Sequence, residues 1–277
     1  DISRLNFGVL SLILEVQGAD NIRQFRPIAL INVPFKICAK ACAMRLGPIA
    51  HRSIQRNQSA FIRGRNILGG PLALQEIVHE LKRTKEPAVL LKLDFGQAYD
   101  RVNWDFLRQV LLGRGFSAVW VHRVLQLVSG GQTAVSVNGE IGHFFRNKRG
   151  LRQGDPMSPL LFNFVVDALS AMLSKAAAAG HIQGLVGHLI PGGVTHLQYA
   201  DDTLLMFRPD LQSIASVKAI LISFELMSGL KINFHKCELI AMGVEPDEGA
   251  RIADFFNCKV GKFPFTYLGL PIDTIRP

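Results

Sequence analysis

The chain has 277 residues, 48% of them hydrophobic and 19% charged, and carries a net charge of +9. This composition excludes a disordered or fibrous protein and allows a substantial core, in one large domain or two lobes. The basic surplus points to a polyanionic partner, nucleic acid first and an acidic membrane surface second.

Residues 7–16 and 25–31 read as strands around a turn at Gly18-Ala19-Asp20-Asn21. Pro34 opens a helix over 35–46 with apolar spacing at Phe35, Cys38, Cys42 and Leu46, and Gly47-Pro48 stops it. A polar segment with Arg52, Arg56, Arg63 and Arg65 follows, suited to a phosphate backbone or to a solvated connection. Residues 71–85 form an amphipathic helix ended by Pro87. The short apolar strand 89–93 delivers Asp94 at its end, and an ionised Asp is rarely buried there unless it is paired or bound to metal.

Helices are expected over 104–112 and 119–128. A hairpin follows at Asn138-Gly139, the pair that a type I′ turn favours. A glycine-bracketed loop, Gly150 to Pro156, precedes a long helix over 159–178. Residues 196–207 read as a second hairpin with Asp201-Asp202 at its tip. Asp210 caps a helix to Met227 that Gly229 closes. An extended stretch over 230–242, a helix over 245–257 and an aromatic, strand-like run over 263–272 complete the chain. Four scattered cysteines lack a C-x-x-C pair or a zinc spacing, which makes a reducing compartment the default. No signal peptide is visible, and no apolar run reaches the roughly 18 residues of a membrane span.

The order β-α-β-β-α-β from Val89 through Met242 suggests a ferredoxin-like split sheet with helices on one face. Such a sheet sets Asp94 beside Asp201 and Asp202. Oxygen-only ligands suit Mg²⁺ or Mn²⁺, and two such ions about 3.5–4 Å apart stabilise the attacking and leaving oxygens of an in-line phosphoryl displacement.

Seven runs, in order, carry a resemblance. They are Phe25-Arg26-Pro27-Ile28 with Lys36 and Lys40; Gln58-Ser59-Ala60-Phe61 with Gly64-Arg65; and Leu93-Asp94 with Ala98-Tyr99-Asp100-Arg101-Val102 and Trp104. Next come Gly150-Leu151-Arg152-Gln153-Gly154-Asp155-Pro156 with Ser158-Pro159-Leu160, and Tyr199-Ala200-Asp201-Asp202. The last two are Gly229-Leu230-Lys231-Ile232-Asn233 with Lys236, and Tyr267-Leu268-Gly269-Leu270-Pro271. The chain resembles the reverse transcriptase domain of plant non-LTR (LINE-type) retrotransposons over nearly its whole length.

The resemblance implies an α+β right-hand polymerase with fingers at 1–87 and 113–145, palm at 88–112 and 146–277, and a thumb absent or incomplete. It implies an RNA-directed DNA polymerase that uses two Mg²⁺ or Mn²⁺ ions, an RNA template, a DNA primer and dNTPs. Asp94, Asp201 and Asp202 would hold the metals with the Phe95 carbonyl, and Lys236 would protonate the pyrophosphate. Arg26 and Gln153 would bind the nucleotide, and Tyr99 would exclude a ribose 2′-hydroxyl. Arg63 and Arg65 would follow the template, and Tyr267, Leu268 and Gly269 would grip the primer. The setting is intracellular, with no membrane, at nuclear DNA, within a longer polyprotein bearing an endonuclease and downstream domains. Two departures stand out, Glu15 and Gln97, each where the family usually has Lys. A remnant that binds nucleic acid without catalysis is the alternative.

Overall fold

The computed structural model describes residues 5–14 and 17–274, so Glu15 lies outside it. In chain order the elements begin with β1 (Phe7–Leu14), β2 (Phe25–Ile31), α1 (Val33–Ser53), α2 (Gly69–Thr84), β3 (Ala88–Leu93), α3 (Ala98–Arg101), α4 (Trp104–Gly113) and α5 (Ala118–Ser129). They continue with β4 (Gln132–Val137), β5 (Glu140–Ile141), β6 (Phe145–Arg146), α6 (Ser158–Ala178), β7 (His196–Tyr199), β8 (Asp202–Phe207) and α7 (Leu211–Ser228). The last are β9 (Glu238–Met242), α8 (Pro246–Phe256), β10 (Lys259–Val260), β11 (Phe265–Tyr267) and β12 (Leu270–Ile272).

The fold is α+β in two compact units, residues 1–53 with 99–165 and residues 54–98 with 166–277. Segment 54–87, expected in the fingers, lies in the second compact unit. That stretch carries α2, whose Leu74, Ile77, Val78 and Leu81 pack with Leu90, Leu204, Met206 and Ile240 of the second unit's sheet. Each such side chain contributes about 1.5–3 kcal/mol on burial, which binds the helix to that unit.

In the first unit the sheet runs β2-β1-β4-β5, with β6 also on β4. Gly47-Pro48 does not stop α1, and Pro48 lies inside the helix. Phe35, Ala39, Ala43, Leu46 and Ala50 are buried at helical spacing on both sides of that proline, so packing of one continuous face overrides the local break. That face is rotated from the expected one, which leaves Cys38 exposed. Asn138 and Gly139 adopt φ of 51° and 84° between β4 and β5, as a type I′ turn requires.

The second unit contains the sheet β10-β9-β3-β8-β7. Strand β3 is antiparallel to both β8 and β9, and β7 is antiparallel to β8. Its four longer strands have the split β-α-β order expected from sequence. One expectation fails, because helices do not occupy one face alone: α2 and the β11-β12 hairpin join the cluster around Leu90 and Met206. Val89, Leu91, Leu205 and Phe207, of opposite parity, are also fully buried, so the strands are apolar on both faces. Asp210 caps α7 by accepting a hydrogen bond from the Ser213 N–H at 2.8 Å, and Gly229 ends it at φ 76°.

Two helices, Ser158–Ala178 and Leu211–Ser228, are long and apolar enough to cross a membrane by length and composition, contrary to the sequence reading. Leu161, Phe162, Val165 and Leu169 of the first are fully buried in the protein, as are Leu221 and Phe224 of the second.

Candidate active site

The acidic cluster stands at one end of the second unit's sheet. Strand β3 pairs with β8 through Leu93↔Thr203, and one further step of that antiparallel register sets Asp94 opposite Asp202. Residues directly opposite lie about 5 Å apart between Cβ atoms and share a face. By the same parity this is the face of Lys92, whose ammonium donates to the Thr266 carbonyl at 3.0 Å. The hairpin turn consists of Ala200 and Asp201, since Tyr199 pairs with Asp202. Asp202 therefore starts β8 and does not sit at the tip with Asp201. Ala200 takes φ 54°, the left-handed conformation of the primed hairpin turns.

Asp201 and Asp202 are exposed and Asp94 is half-buried. Desolvation at the sheet end, then repulsion from Asp201 and Asp94, push the Asp202 carboxyl above its ordinary range, with Lys92 opposing. The donor set is oxygen only and mutually repulsive, which fits a hard divalent cation. Among the described residues no group of three or more His, Cys, Asp or Glu is gathered in a form that could hold a metal ion. The carboxylates are close enough for Asp201 and Asp94 to act on Asp202.

The segment after α7 buttresses Asp94. The Asn233 N–H donates to the Asp94 carbonyl at 2.8 Å, and the Gly96 N–H donates to the Lys231 carbonyl at 3.0 Å. Phe95 bridges to Ile232 between these bonds, which leaves the Phe95 carbonyl out of that ladder. The Phe95 ring is buried, edge-on to Phe224. Glu225 accepts from the Ile232 N–H at 2.8 Å and pairs with Lys231 at 3.9 Å. Lys236 is exposed on the following turn, and the buried Cys237 thiol accepts from the Asp94 N–H at 3.3 Å. Burial raises that thiol to about 12.

Segment 57–65 lies along the free edge of β7. The Gln198 N–H donates to the Asn57 carbonyl at 2.9 Å, and the Ser59 N–H donates to the Gln198 carbonyl at 3.0 Å. Arg63 is exposed, as a template contact would need. Arg65 instead turns inward. Its guanidinium donates to the carbonyls of Ile54 at 2.8 Å, Gln55 at 2.6 Å and Gln58, which clamps the segment.

Tyr267 also differs from expectation. Its side chain belongs to the core with Leu74 and Leu90, and its buried hydroxyl has no hydrogen-bond partner. Leu268 and Gly269, at φ 49° and 81°, form the turn of the β11-β12 hairpin. Of the three residues expected to grip the primer, these two are the ones at its tip.

The remaining expected residues belong to the first unit. The Ala29 N–H of β2, three residues after the exposed Arg26, donates to the Gln153 carbonyl at 2.9 Å. A β-carbon on Gly154 (φ 103°) would stand 2.8 Å from the Ala29 oxygen, and one on Gly150 (φ 92°) 2.7 Å from the Asp100 oxygen. The two glycines of the loop are therefore required by close backbone approach. Arg152 is buried between Asn6, Asp155 at 3.9 Å and the Phe35 ring at 4.8 Å. Tyr99 stacks on Phe162, with centroids 4.5 Å apart and planes at 12°.

The family model "Reverse transcriptase (RNA-dependent DNA polymerase)" matches residues 17–272. The chain belongs to this reverse transcriptase family. It is 27% identical over 228 residues to the Transposon TX1 uncharacterized 149 kDa protein of Xenopus laevis, covering 82% of this chain and 17% of that protein. It is also 27% identical over 223 residues to a Pol polyprotein from the retrotransposable element R2 of Nasonia vitripennis, covering 79% and 20%. The chain thus spans about a fifth of these relatives.

Among solved structures, apo telomerase from Candida tropicalis superposes with a TM-score of 0.59 at 16% identity, over 98% of this chain and 47% of that one. Telomerase from Candida albicans, in complex with a fragment of telomeric RNA, gives 0.58 at 15%, over 99% and 45%. These likenesses establish the fingers-and-palm fold.

Reading motifs alone missed Gln58, Lys92, Glu225 and Cys237, which hold this reverse transcriptase's acidic strands. Gln58 lies inside a recognised run. Nothing in the sequence singled out the other three, because their contacts are made with segments distant in the chain or across a turn.

Proposed function

We propose that the chain is the polymerase module of a retrotransposon protein and adds dNTPs to a primer 3′-hydroxyl along an RNA template. The observation that carries the reading is the convergence of Asp94 and Asp202 by register, with Asp201 adjacent, on one sheet end of a reverse transcriptase fold. Asp94, Asp201, Asp202 and the Phe95 carbonyl would hold two Mg²⁺ or Mn²⁺ ions, which supply charge neutralisation and orient the reacting oxygens. The chain's own residues do the rest. Lys236 donates a proton to the departing pyrophosphate. Arg26 and Gln153 bind the nucleotide, and the Tyr99 ring, fixed by Phe162, rejects a ribose 2′-hydroxyl. Arg63 follows the template backbone, and the Leu268-Gly269 turn meets the primer. Catalysis is then mainly positioning and electrostatics. The place of action is intracellular, at nuclear DNA, and flanking endonuclease and downstream domains complete the polyprotein.

The test is extension of a DNA primer on poly(rA) with dTTP or UTP and Mg²⁺. Incorporation of dTTP well above UTP is expected, with Tyr99→Ala narrowing the gap. Salt-sensitive primer–template binding without incorporation at any Mg²⁺ or Mn²⁺ concentration would leave only the nucleic-acid-binding remnant.

A further inference from the structure

Gln58 is fully buried, and its side chain is engaged through the oxygen alone. Oε1 accepts two main-chain N–H bonds at 3.0 Å each, one from Ala60 and one from Ala200. Nε2 is buried without a hydrogen-bond partner. A buried, unpaired amide donor is costly, so the residue is justified by what its oxygen holds. That is the first residue of the acidic turn, at φ 54° with a β-carbon in a region that L-residues disfavour. The main chain on either side of Gln58 is tied to β7 through Asn57 and Ser59. The facing Gln198 side chain is itself fixed, its Oε1 accepting from the Ser170 hydroxyl at 2.6 Å. The amide therefore reaches the turn from an anchored segment on its edge.

We infer that Gln58 is a positioning residue for the acidic turn: by accepting the Ala200 N–H it keeps that residue left-handed and so fixes where Asp201 and the start of β8 at Asp202 stand. This rests on the polymerase reading above, and it assigns the turn's geometry to a residue outside the acidic strands. Without Oε1, the Ala200 N–H is left buried and unpaired, and nothing offsets the preference of alanine for negative φ. Asp201 and Asp202 then lose their common placement. The surface that meets nucleic acid is unchanged, because Gln58 is not part of it.

The experiment uses the full chain with Gln58→Leu and the double variant Gln58→Leu/Ala200→Gly. It measures single-nucleotide incorporation against Mg²⁺ and primer–template, amide exchange at Ala200, and the melting midpoint as a check of folding. For Gln58→Leu the expected result is kcat at least tenfold lower and an Mg²⁺ half-saturation at least threefold higher. Primer–template KM stays within twofold, and exchange at Ala200 accelerates. Glycine takes positive φ without support, so Ala200→Gly recovers at least threefold of the lost kcat. A folded Gln58→Leu with wild-type kcat, Mg²⁺ half-saturation and Ala200 exchange overturns the inference. Should Gln58→Leu not fold, Gln58→Glu keeps an acceptor oxygen: slow Ala200 exchange supports the inference and fast exchange overturns it. If the wild-type chain incorporates nothing, the polymerase reading fails while Ala200 exchange still decides the role of Gln58.

Discussion

Two loops of this reverse transcriptase place an arginine in a recognised motif, and they anchor it by different physics. In the loop 150–156 of the first unit, Arg152 is buried with a carboxylate, an amide and an aromatic face, and the loop's glycines allow backbone to close on backbone. In segment 57–65 of the second unit, the Arg65 guanidinium donates to main-chain carbonyls and lies near the Asp167 carboxylate, and the segment is fastened to the edge of β7 by a seam of main-chain and side-chain hydrogen bonds. The first loop is a pedestal whose ion pair, Arg152 with Asp155, is internal to it. The second is a brace whose bonds reach into the acidic hairpin. Damage to the first should appear as lost folding, and damage to the second as a displaced turn.

The largest effect separates the loops most sharply. Arg152→Met leaves the buried Asp155 carboxylate without its partner and should lower unfolding free energy by about 3–5 kcal/mol, read as a shift in the urea midpoint. A loss no larger than that of a surface substitution would erase the distinction.

The second prediction addresses the brace through pH. His196 is fully buried beside Thr195, at 2.8 Å, and Asn57, at 3.2 Å, and desolvation lowers its pKa from 6.5 to about 4. A depressed histidine binds fewer protons folded than unfolded. Its contribution is therefore complete above pH 6.5 and is lost as pH falls toward 4, in all about 3 kcal/mol. Urea midpoints at pH 7.5 and 4.5 should differ more for wild type than for His196→Gln. Parallel losses in the two proteins would remove His196 from the account.

The smallest effect lies within the brace. Arg65→Ala should cost roughly 1.5–3 kcal/mol of stability, as loss of charge-assisted hydrogen bonds does. Arg63→Ala should leave stability level, weaken primer–template binding and flatten its salt dependence by about one unit of slope. Equal stability losses would contradict the assignment of one arginine inward and the other outward.

Much of this fold was legible because local signals and packing agree along most of the chain. Asp210 and Gly229 bound α7 as capping chemistry requires, and the apolar run before Asp94 became β3. The signals failed where tertiary burial outweighs local preference. Pro48 stays inside α1, exposed, because Leu46 and Ala50 on either side of it continue the helix's buried face. Tyr267 is drawn into the core with the α2 residues Leu74 and Val78. The carboxylates were legible as residues and their register followed from strand order. The direction of a side chain was not, since Arg63 and Arg65 are two positions apart and only burial tells which turns inward.

The central claim is that Asp94 and Asp202, brought opposite by the register of β3 and β8, hold divalent ions with Asp201. Mn²⁺ bound by the full chain with primer–template and a non-extending dNTP, counted by electron paramagnetic resonance, tests it directly. The account requires bound Mn²⁺ in wild type and its loss in Asp94→Asn and in Asp202→Asn, both with melting midpoints level or higher because repulsion is relieved. Undiminished Mn²⁺ in either folded variant would contradict it.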